Sequence, residues 1–368
     1  MKKILFLVNK DNVIFNFRKE LAFKLLDKGF DVVISSPYGK KIDYMTDKGC
    51  RFYNLEIDRR GTNILNDIKL IISYYKLLKK EKPDVVLTYT SNCSIYADFV
   101  CRLLNIPYIV NNAGLLETSN YSCIIGIILN VLYKVGYKGA ACMMYQNGRE
   151  WDFLQSKIGK IHYHDIPGSG VNLDEFAFCE YPKEDKIIRF NYVARIVDIK
   201  GINELLACAK IIKGKYPNTE FILYGDFDDD LYRAKVKDYE QKGYVKYGGI
   251  QLDMKPCIRK AHCVIHPSYY EGLTNVILEH GAIGRPAIAS DIPGCREGID
   301  DGITGYTFKL KDVDALVAAV EKFINLPYEK KAEMGKAARK KMEKEFDRNI
   351  VTNIYIEEIN RILASKKY

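Results

Sequence analysis

The chain has 368 residues, 48% of them apolar and 28% charged, which is the profile of a soluble globular protein long enough for two domains of roughly 150–200 residues each. Its net charge of +9 is uneven, because residues 1–138 hold 21 Lys/Arg against 13 Asp/Glu while the rest hold 35 and 34. A basic N-terminal half suits an anionic membrane surface, an anionic acceptor or plain solvation, but no Arg-Gly repeat or aromatic–basic interleaving marks it for nucleic acid.

An apolar run at residues 4–8 reads as a strand; it is too short for a secretion signal, and Asn9-Lys10-Asp11-Asn12 interrupts it. Residues 17–28 carry a helical pattern that ends at Gly29. Residues 31–35 read as a strand, residues 69–80 as a helix, and residues 84–88 and 108–111 as two further strands. The longest later apolar stretch, residues 123–133, has about half the length needed to span a bilayer. After the break at Ile166-Pro167-Gly168-Ser169-Gly170 the pattern restarts. Strands are predicted at 187–193, 220–224, 264–266 and 287–289, with helices at 203–213 and from about Thr274. The alternation predicts an α/β chain with two parallel sheets, residues 1–170 and 171–348, linked near 165–182. A last helix within residues 349–368 is expected to pack back on the N-terminal domain. Ligands of open parallel sheets sit at the carboxyl ends of the strands, so the site is expected in a cleft between the domains.

Three features of the second half carry chemistry. Arg195 and Lys200 follow the strand at 187–193 and can embrace a diphosphate, neutralising its charge as a leaving group; surface cations at a strand-to-helix turn are also common. Glu271 falls in a turn after an apolar strand, and Glu279 lies in the helix that opens near Thr274. Uncapped N–H groups at that helix start suit phosphate, and carboxylates suit sugar hydroxyls; a general acid–base pair and simple helix-dipole glutamates stay open as alternatives. Gly170, Gly225, Gly248, Gly249, Gly272, Gly294 and Gly305 stand at strand ends or turns, where the backbone approaches a ligand closely or merely turns.

Other chemistries lose their signals. No Gly-x-Gly-x-x-Gly follows the first strand and no P-loop lysine appears. Asp228-Asp229-Asp230 reads as helix capping and solvation rather than a metal ligand set. The ten cysteines form no Cys-x-x-Cys pair, and the five histidines show no ligand spacing beyond His162-x-His164, so no metal site is expected. His280 is expected to be packed in its helix.

Taken together, the segments from residue 187 to 308 resemble the retaining glycosyltransferases of family 4, which have the GT-B fold of two facing Rossmann-like domains. The resemblance rests on Arg195 with Lys200-Gly201, Tyr224-Gly225, and His266-Pro267-Ser268-Tyr269-Tyr270-Glu271-Gly272. It continues through Asn275 and Glu279, Gly284-Arg285-Pro286, Pro293-Gly294-Cys295-Arg296-Glu297 and Gly302-Ile303-Thr304-Gly305-Tyr306. Gln146-Asn147 and Gly168-Ser169-Gly170-Val171-Asn172 are similar to the family's hinge. The N-terminal half is looser: residues 9–18, Thr88-Tyr89-Thr90 and Asn111-Asn112-Ala113-Gly114-Leu115 are similar to transferases that build bacterial capsule, O-antigen or lipid-linked glycans. Two departures stand out. The first loop lacks the paired glycines of many members, and no histidine precedes residue 162.

The resemblance implies that Arg195 and Lys200 hold a nucleotide diphosphate and, with Glu271 at the transferred sugar, form the catalytic set. It implies that Glu279 binds ribose, that the backbone of Gly272, Leu273, Thr274 and Asn275 meets phosphate or sugar, that Gly249 and Ile250 line the base, and that Gly225 also belongs to the donor site. Asn9, Arg18, Thr90, Asn112 and Gly114 fall on the acceptor side. The donor implied is a nucleotide sugar, by preference a UDP-sugar, with no cofactor and no metal. The acceptor implied is a lipid-linked or polysaccharide glycan met at the inner face of the plasma membrane by a cytoplasmic enzyme. Two alternatives are a UDP-N-acetylglucosamine 2-epimerase of the same fold, which the histidine-free N-terminal half disfavours, and a non-catalytic sugar-nucleotide binding protein.

Overall fold

The computed structural model describes residues 1–57, 64–111, 131, 134–146, 159–183 and 186–365. The chain divides into two compact units, Met1–Ser169 with Ile350–Tyr368, and Gly170–Asn349.

The first unit runs β1 (Lys3–Leu7), α1 (Asp11–Phe17), α2 (Lys19–Asp27), β2 (Asp31–Ser36), α3 (Lys41–Asp47), β3 (Arg51–Asn54), α4 (Ile64–Glu81), β4 (Val85–Tyr89), α5 (Ser91–Leu103), β5 (Tyr108–Asn111), β6 (Cys142–Tyr145) and β7 (Tyr163–Asp165). These strands form one parallel sheet in the order β3-β2-β1-β4-β5-β6-β7. Side chains alternate across a strand, so Ile4 and Phe6 face one core while Leu5 and Leu7 face the other. Both faces are covered, which is why β1, β4 and β5 read as continuous apolar runs.

The second unit runs β8 (Ile188–Val193), α6 (Ile202–Lys215), β9 (Thr219–Tyr224), α7 (Asp230–Gln241), β10 (Lys246–Gly249), α8 (Lys255–Lys260), β11 (Cys263–His266), α9 (Asn275–Ile283), β12 (Ala287–Ser290), β13 (Gly305–Phe308), α10 (Val313–Ile324) and α11 (Tyr328–Glu345). Its parallel sheet has the order β10-β9-β8-β11-β12-β13. Phe190 and Tyr192 pack with Leu205, Leu206 and Ile212 of α6 and with Leu316 and Phe323 of α10. On the opposite face Val264, Ala287 and Ala289 meet Ile277 of α9. The last helix, α12 (Arg348–Ser365), passes from the second unit into the first, where Val351, Tyr355, Ile359 and Ile362 join the core on the Ile4–Phe6 face.

The helix that the sequence pattern predicts over residues 17–28 is α2, and α1, which the pattern does not show, precedes it, the two meeting at Arg18 (φ −139°, ψ 3°). The Arg18 side chain, expected on the acceptor side, is buried with its guanidinium 5.1 Å from the Tyr89 ring and 5.4 Å from that of Tyr355. The expectations on Asn112 and Gly114, on Asn147 and on most of the 123–133 stretch lie outside the described residues. No helix among the described residues is long and apolar enough to cross a membrane.

Arg285 shows how the second unit closes. It is fully buried and donates to the carbonyls of Cys179 (2.9 Å), Glu180 (3.1 Å), Arg259 (2.8 Å), Ile283 (3.1 Å) and Gly284 (3.2 Å). It thereby satisfies the chain leading into the sheet, the end of α8 and the end of α9 at once. Arg285→Leu removes a donor from each of those carbonyls, of which Ile283 keeps the Cys179 N–H at 3.2 Å, and is expected to cost roughly 3 kcal/mol or more, read as a lower urea midpoint of the second unit's transition. An unchanged midpoint would show that water replaces the guanidinium.

Candidate functional site

In each sheet the strand order reverses once, between β1 and β4 and between β8 and β11. At such a point neighbouring loops diverge and leave a crevice at the carboxyl ends of the strands. In the second unit, the loop after β8 carries Arg195 and Lys200, and the loop after β11 carries Glu271.

The two loops are joined by a buried charge cluster. Lys200 Nζ lies 2.6 Å from Glu271 Oε1 and donates to the Tyr270 carbonyl at 3.5 Å. His266, the last residue of β11, places Nε2 2.8 Å from the same carboxylate oxygen and 3.2 Å from Thr274 Oγ1. Burial by itself pushes the Glu271 pKa up, but the His266 hydrogen bond and the charges of His266 and Lys200 outweigh it and hold the carboxyl down at about 2. Glu271 is thus an anion held in place, with Lys200 oriented beside it.

Glycine makes this closeness feasible. Gly201, in a left-handed conformation (φ 68°), ends the short 3-10 turn Asp198–Lys200 and opens α6. A Cβ there would collide with the Pro267 carbonyl, so only glycine lets the two loops meet. Gly294 (φ 92°) does the same beneath the 271–272 backbone.

The N-terminus of α9 sits in the same place. Thr274 is its N-cap, but the hydroxyl turns to His266 and makes no capping bond, and no acidic residue occupies the first turn. The first turn of α9 therefore carries no acidic side chain of its own, which suits a phosphate at its positive end. Leu273 is buried among Leu278, Met342 and Phe346, so only its backbone faces outward. One helical face further on, Glu279 makes no hydrogen bond or ion pair with a described residue. Burial raises its pKa to about 7, against the weaker pull of Arg348 and Lys255. A half-buried carboxyl without a partner is the arrangement of a group that waits for hydroxyl donors.

Arg195 is more exposed and pairs with Asp228. A surface pair of this kind is weak and can yield to a diphosphate. Asp229 caps α7 by accepting from Leu231 N at 2.8 Å, while Asp230 is fully exposed. Gly225, at the end of β9, donates to the Gly249 carbonyl at 3.1 Å and carries φ 143°; a Cβ on it would strike Ala194 O. This draws the ends of β8, β9 and β10 together and leaves Ile250 exposed beside them. A cavity of about 430 Å³ lies instead at the amino ends of β8 and β9, lined by Lys186, Pro217 and Tyr328, and contains none of these groups.

In the first unit, Asn9 follows β1 and Thr90 follows β4, so both stand at that sheet's reversal point. Thr90 has φ 72°, which is costly for a β-branched residue, and its hydroxyl is buried without a partner. His266 as organiser of the Glu271 carboxylate is the residue that sequence reasoning missed in the second unit, and Thr274, expected through its backbone, also meets His266 through its hydroxyl. The available signal was a histidine ending an apolar strand directly before Pro267. His280, expected to be packed, is buried with Nδ1 2.7 Å from the Val276 carbonyl, and burial lowers its pKa to about 3.

Residues 175–341 match the family model described as Glycosyl transferases group 1, and residues 3–147 match that described as Glycosyl transferase 4-like. The chain is 24% identical to the N,N'-diacetylbacillosaminyl-diphospho-undecaprenol α-1,3-N-acetylgalactosaminyltransferase of Campylobacter jejuni, over 99% of this chain and 100% of that one. It is 26% identical to the UDP-Gal:α-D-GlcNAc-diphosphoundecaprenol α-1,3-galactosyltransferase of Escherichia coli, over 81% of each. Among solved structures, Anabaena HepE in complex with UDP and glucose superposes with a TM-score of 0.79 over 98% of this chain and 100% of that one, at 15% identity, a likeness of fold. The two parallel-sheet units, the group 1 and 4-like matches that together run through most of the sequence, and these relatives make the chain a glycosyltransferase of family 4 with the GT-B fold.

Proposed function

We propose that this transferase moves a sugar from a UDP-sugar, with retention of anomeric configuration, onto a lipid-linked diphosphate glycan at a membrane surface. The observation that carries the reading is the junction of β8 and β11. There a fixed cation, Lys200, a fixed anion, Glu271, and an unoccupied helix N-terminus converge beside the unpartnered Glu279. The printed activities of the two relatives support the acceptor class, and the UDP complex of HepE supports the donor class.

In this mechanism, Arg195 releases Asp228 and joins Lys200 on the donor diphosphate. The N–H groups at the opening of α9, those of Leu273 and Asn275 among them, take the remaining phosphate or sugar oxygens, while that of Thr274 is given to the Gly294 carbonyl at 3.0 Å, and Glu279 accepts from the ribose hydroxyls. Gly225, Gly249 and Ile250 flank the base. Glu271 orients the transferred sugar and balances Lys200. The acceptor hydroxyl attacks the anomeric carbon on the face from which the diphosphate departs. As the new C–O bond forms and the old one breaks, the hydroxyl proton passes to the leaving phosphate oxygen. The cations stabilise the charge that grows there, and the step needs no protein nucleophile. Asn9 and Thr90 serve the acceptor side. The basic excess of residues 1–138 draws the enzyme to anionic lipid.

Binding of UDP is expected to raise the melting temperature. Glu279→Ala and Arg195→Ala should remain folded and lose most of that increment, whereas EDTA should leave the increment intact. Full UDP response and turnover in both variants would sink the site assignment, and an EDTA-sensitive increment would sink metal-independence.

Glu279 also makes the pH dependence directional. Ribose hydroxyls donate to the ionised carboxylate, so UDP affinity should rise as pH climbs through about 7, by roughly tenfold between pH 6 and 8. Glu279→Gln should lose that component. A raised carboxyl pKa costs stability above its folded value, and the cost vanishes below the ordinary 4.5. Ligand-free Glu279→Gln should therefore melt higher than the parent at pH 8 and converge with it towards pH 4.5. Identical pH profiles for the two proteins would remove Glu279 from the ribose.

For the membrane component, sedimentation with anionic vesicles should fall steeply between low and physiological salt. Equal binding to neutral vesicles would rule out electrostatic attachment.

A further inference from the structure

At the edge of the first unit's sheet, four donor atoms from three separate parts of the chain converge. His162 and His164 are two apart, so they share one face at and just before β7. The β6–β7 register pairs Met143 with Tyr163 and Met144 with His164, which sets Cys142 alongside His162 on that same face. Glu358 descends onto it from α12. Its Oε1 lies 3.0 Å from His162 Nε2 and 2.8 Å from His164 Nε2. The cysteine Sγ, one nitrogen of each imidazole and a carboxylate oxygen all lie within 4.8 Å of one another.

We propose that Cys142, His162, His164 and Glu358 form a zinc site that staples α12 to the edge strand β7. A tetrahedral zinc with bonds of about 2.0–2.3 Å holds its donors some 3.3–3.8 Å apart, so closing the cluster takes shifts of about 1 Å. One thiolate, two imidazoles and one carboxylate are a donor set that favours zinc over magnesium or calcium. Cys142 and Glu358 are buried, while the His162 and His164 side chains are 47% and 36% exposed, which gives the ion a path from solvent. The outer shell is in place as well. Arg361 Nε reaches Glu358 Oε2 at 2.9 Å, and the guanidinium donates to the Ala141 carbonyl at 2.9 Å. Arg361 Nε also reaches Oε1, at 3.2 Å, so a metal taking Oε1 would leave Arg361 its shorter bond to Oε2. Binding releases the Cys142 proton to solvent, and each imidazole that donates its Nε2 proton to Glu358 must move that proton to Nδ1 or lose it to solvent before Nε2 takes the metal, so two imidazole–carboxylate hydrogen bonds give way to metal bonds. The competing account is a metal-free latch in which the two imidazoles and Arg361 simply clamp Glu358.

The test uses the full-length protein after dialysis against EDTA. Zinc titration in competition with a chromophoric chelator is expected to give about one tight site per chain and a higher melting temperature. Cobalt substitution is expected to give the intense visible bands of a tetrahedral ion with a near-ultraviolet thiolate charge-transfer band. Cys142→Ser should abolish the charge-transfer band, and the double variant His162→Ala/His164→Ala should bind zinc at least tenfold more weakly. The exposed histidines make the double variant the one least prone to misfold, and the parent protein's stoichiometry and cobalt spectrum stand independently of any variant. No tight zinc, or zinc bound equally by the double variant, would overturn the site and leave the latch.

Discussion

One carboxylate organises the second unit. Glu271 is drawn out of water between Lys200 and His266, and those partners come from the two strands at which the sheet order reverses. A buried anion without them would be prohibitively costly, so the loops after β8 and β11 must meet for Glu271 to stay charged. Gly201 against Pro267 removes the side chain that would hold those loops apart, and Gly294 lets the loop after β12 close on the Glu271–Gly272 backbone. The meeting leaves the α9 N-terminus without a side-chain cap, because the Thr274 hydroxyl turns to His266 instead. Packing, electrostatics and the site are in this sense one arrangement.

Glu279 is the complementary case. It is buried enough to raise its pKa yet makes no hydrogen bond or ion pair among the described residues, so its ionisation costs the free protein stability. Glu271 and Glu279 lie close in sequence and have opposite electrostatics, one paid for by internal cations and one held open. That division separates a group that shapes the site from a group that awaits a ligand.

The first unit uses its C-terminal helix as part of its core. Arg18, at the junction of α1 and α2, is enclosed by Tyr89 from β4 and Tyr355 from α12. The same sheet carries its own strained reversal point at Thr90. At its far edge, β7 is a three-residue strand with exposed Tyr163 and Asp165, and α12 reaches it through Glu358. Short, weak edges of this kind gain most from a clamp.

Much was legible before any coordinates. Buried parallel strands such as residues 108–111 and 263–266 announce themselves as unbroken apolar runs, and turn glycines mark where they stop. The ordered residues from Arg195 to Tyr306 identified the family, because each chemical group stands at a strand end where a ligand can be reached. Short or solvent-washed elements did not show: β3 is half exposed, β10 holds two glycines, and β7 is too brief to have a period. The sequence by itself determined the alternation of strands and helices and the glycines and charges at the strand ends, since these follow from local periodicity and backbone freedom. Only the tertiary structure decided which charges pair. Arg18 became a core cation, His266 a partner of Glu271, and Glu358 a neighbour of two histidines that lie 196 and 194 residues away. Such pairings depend on distances across the fold, and sequence separation carries no trace of them.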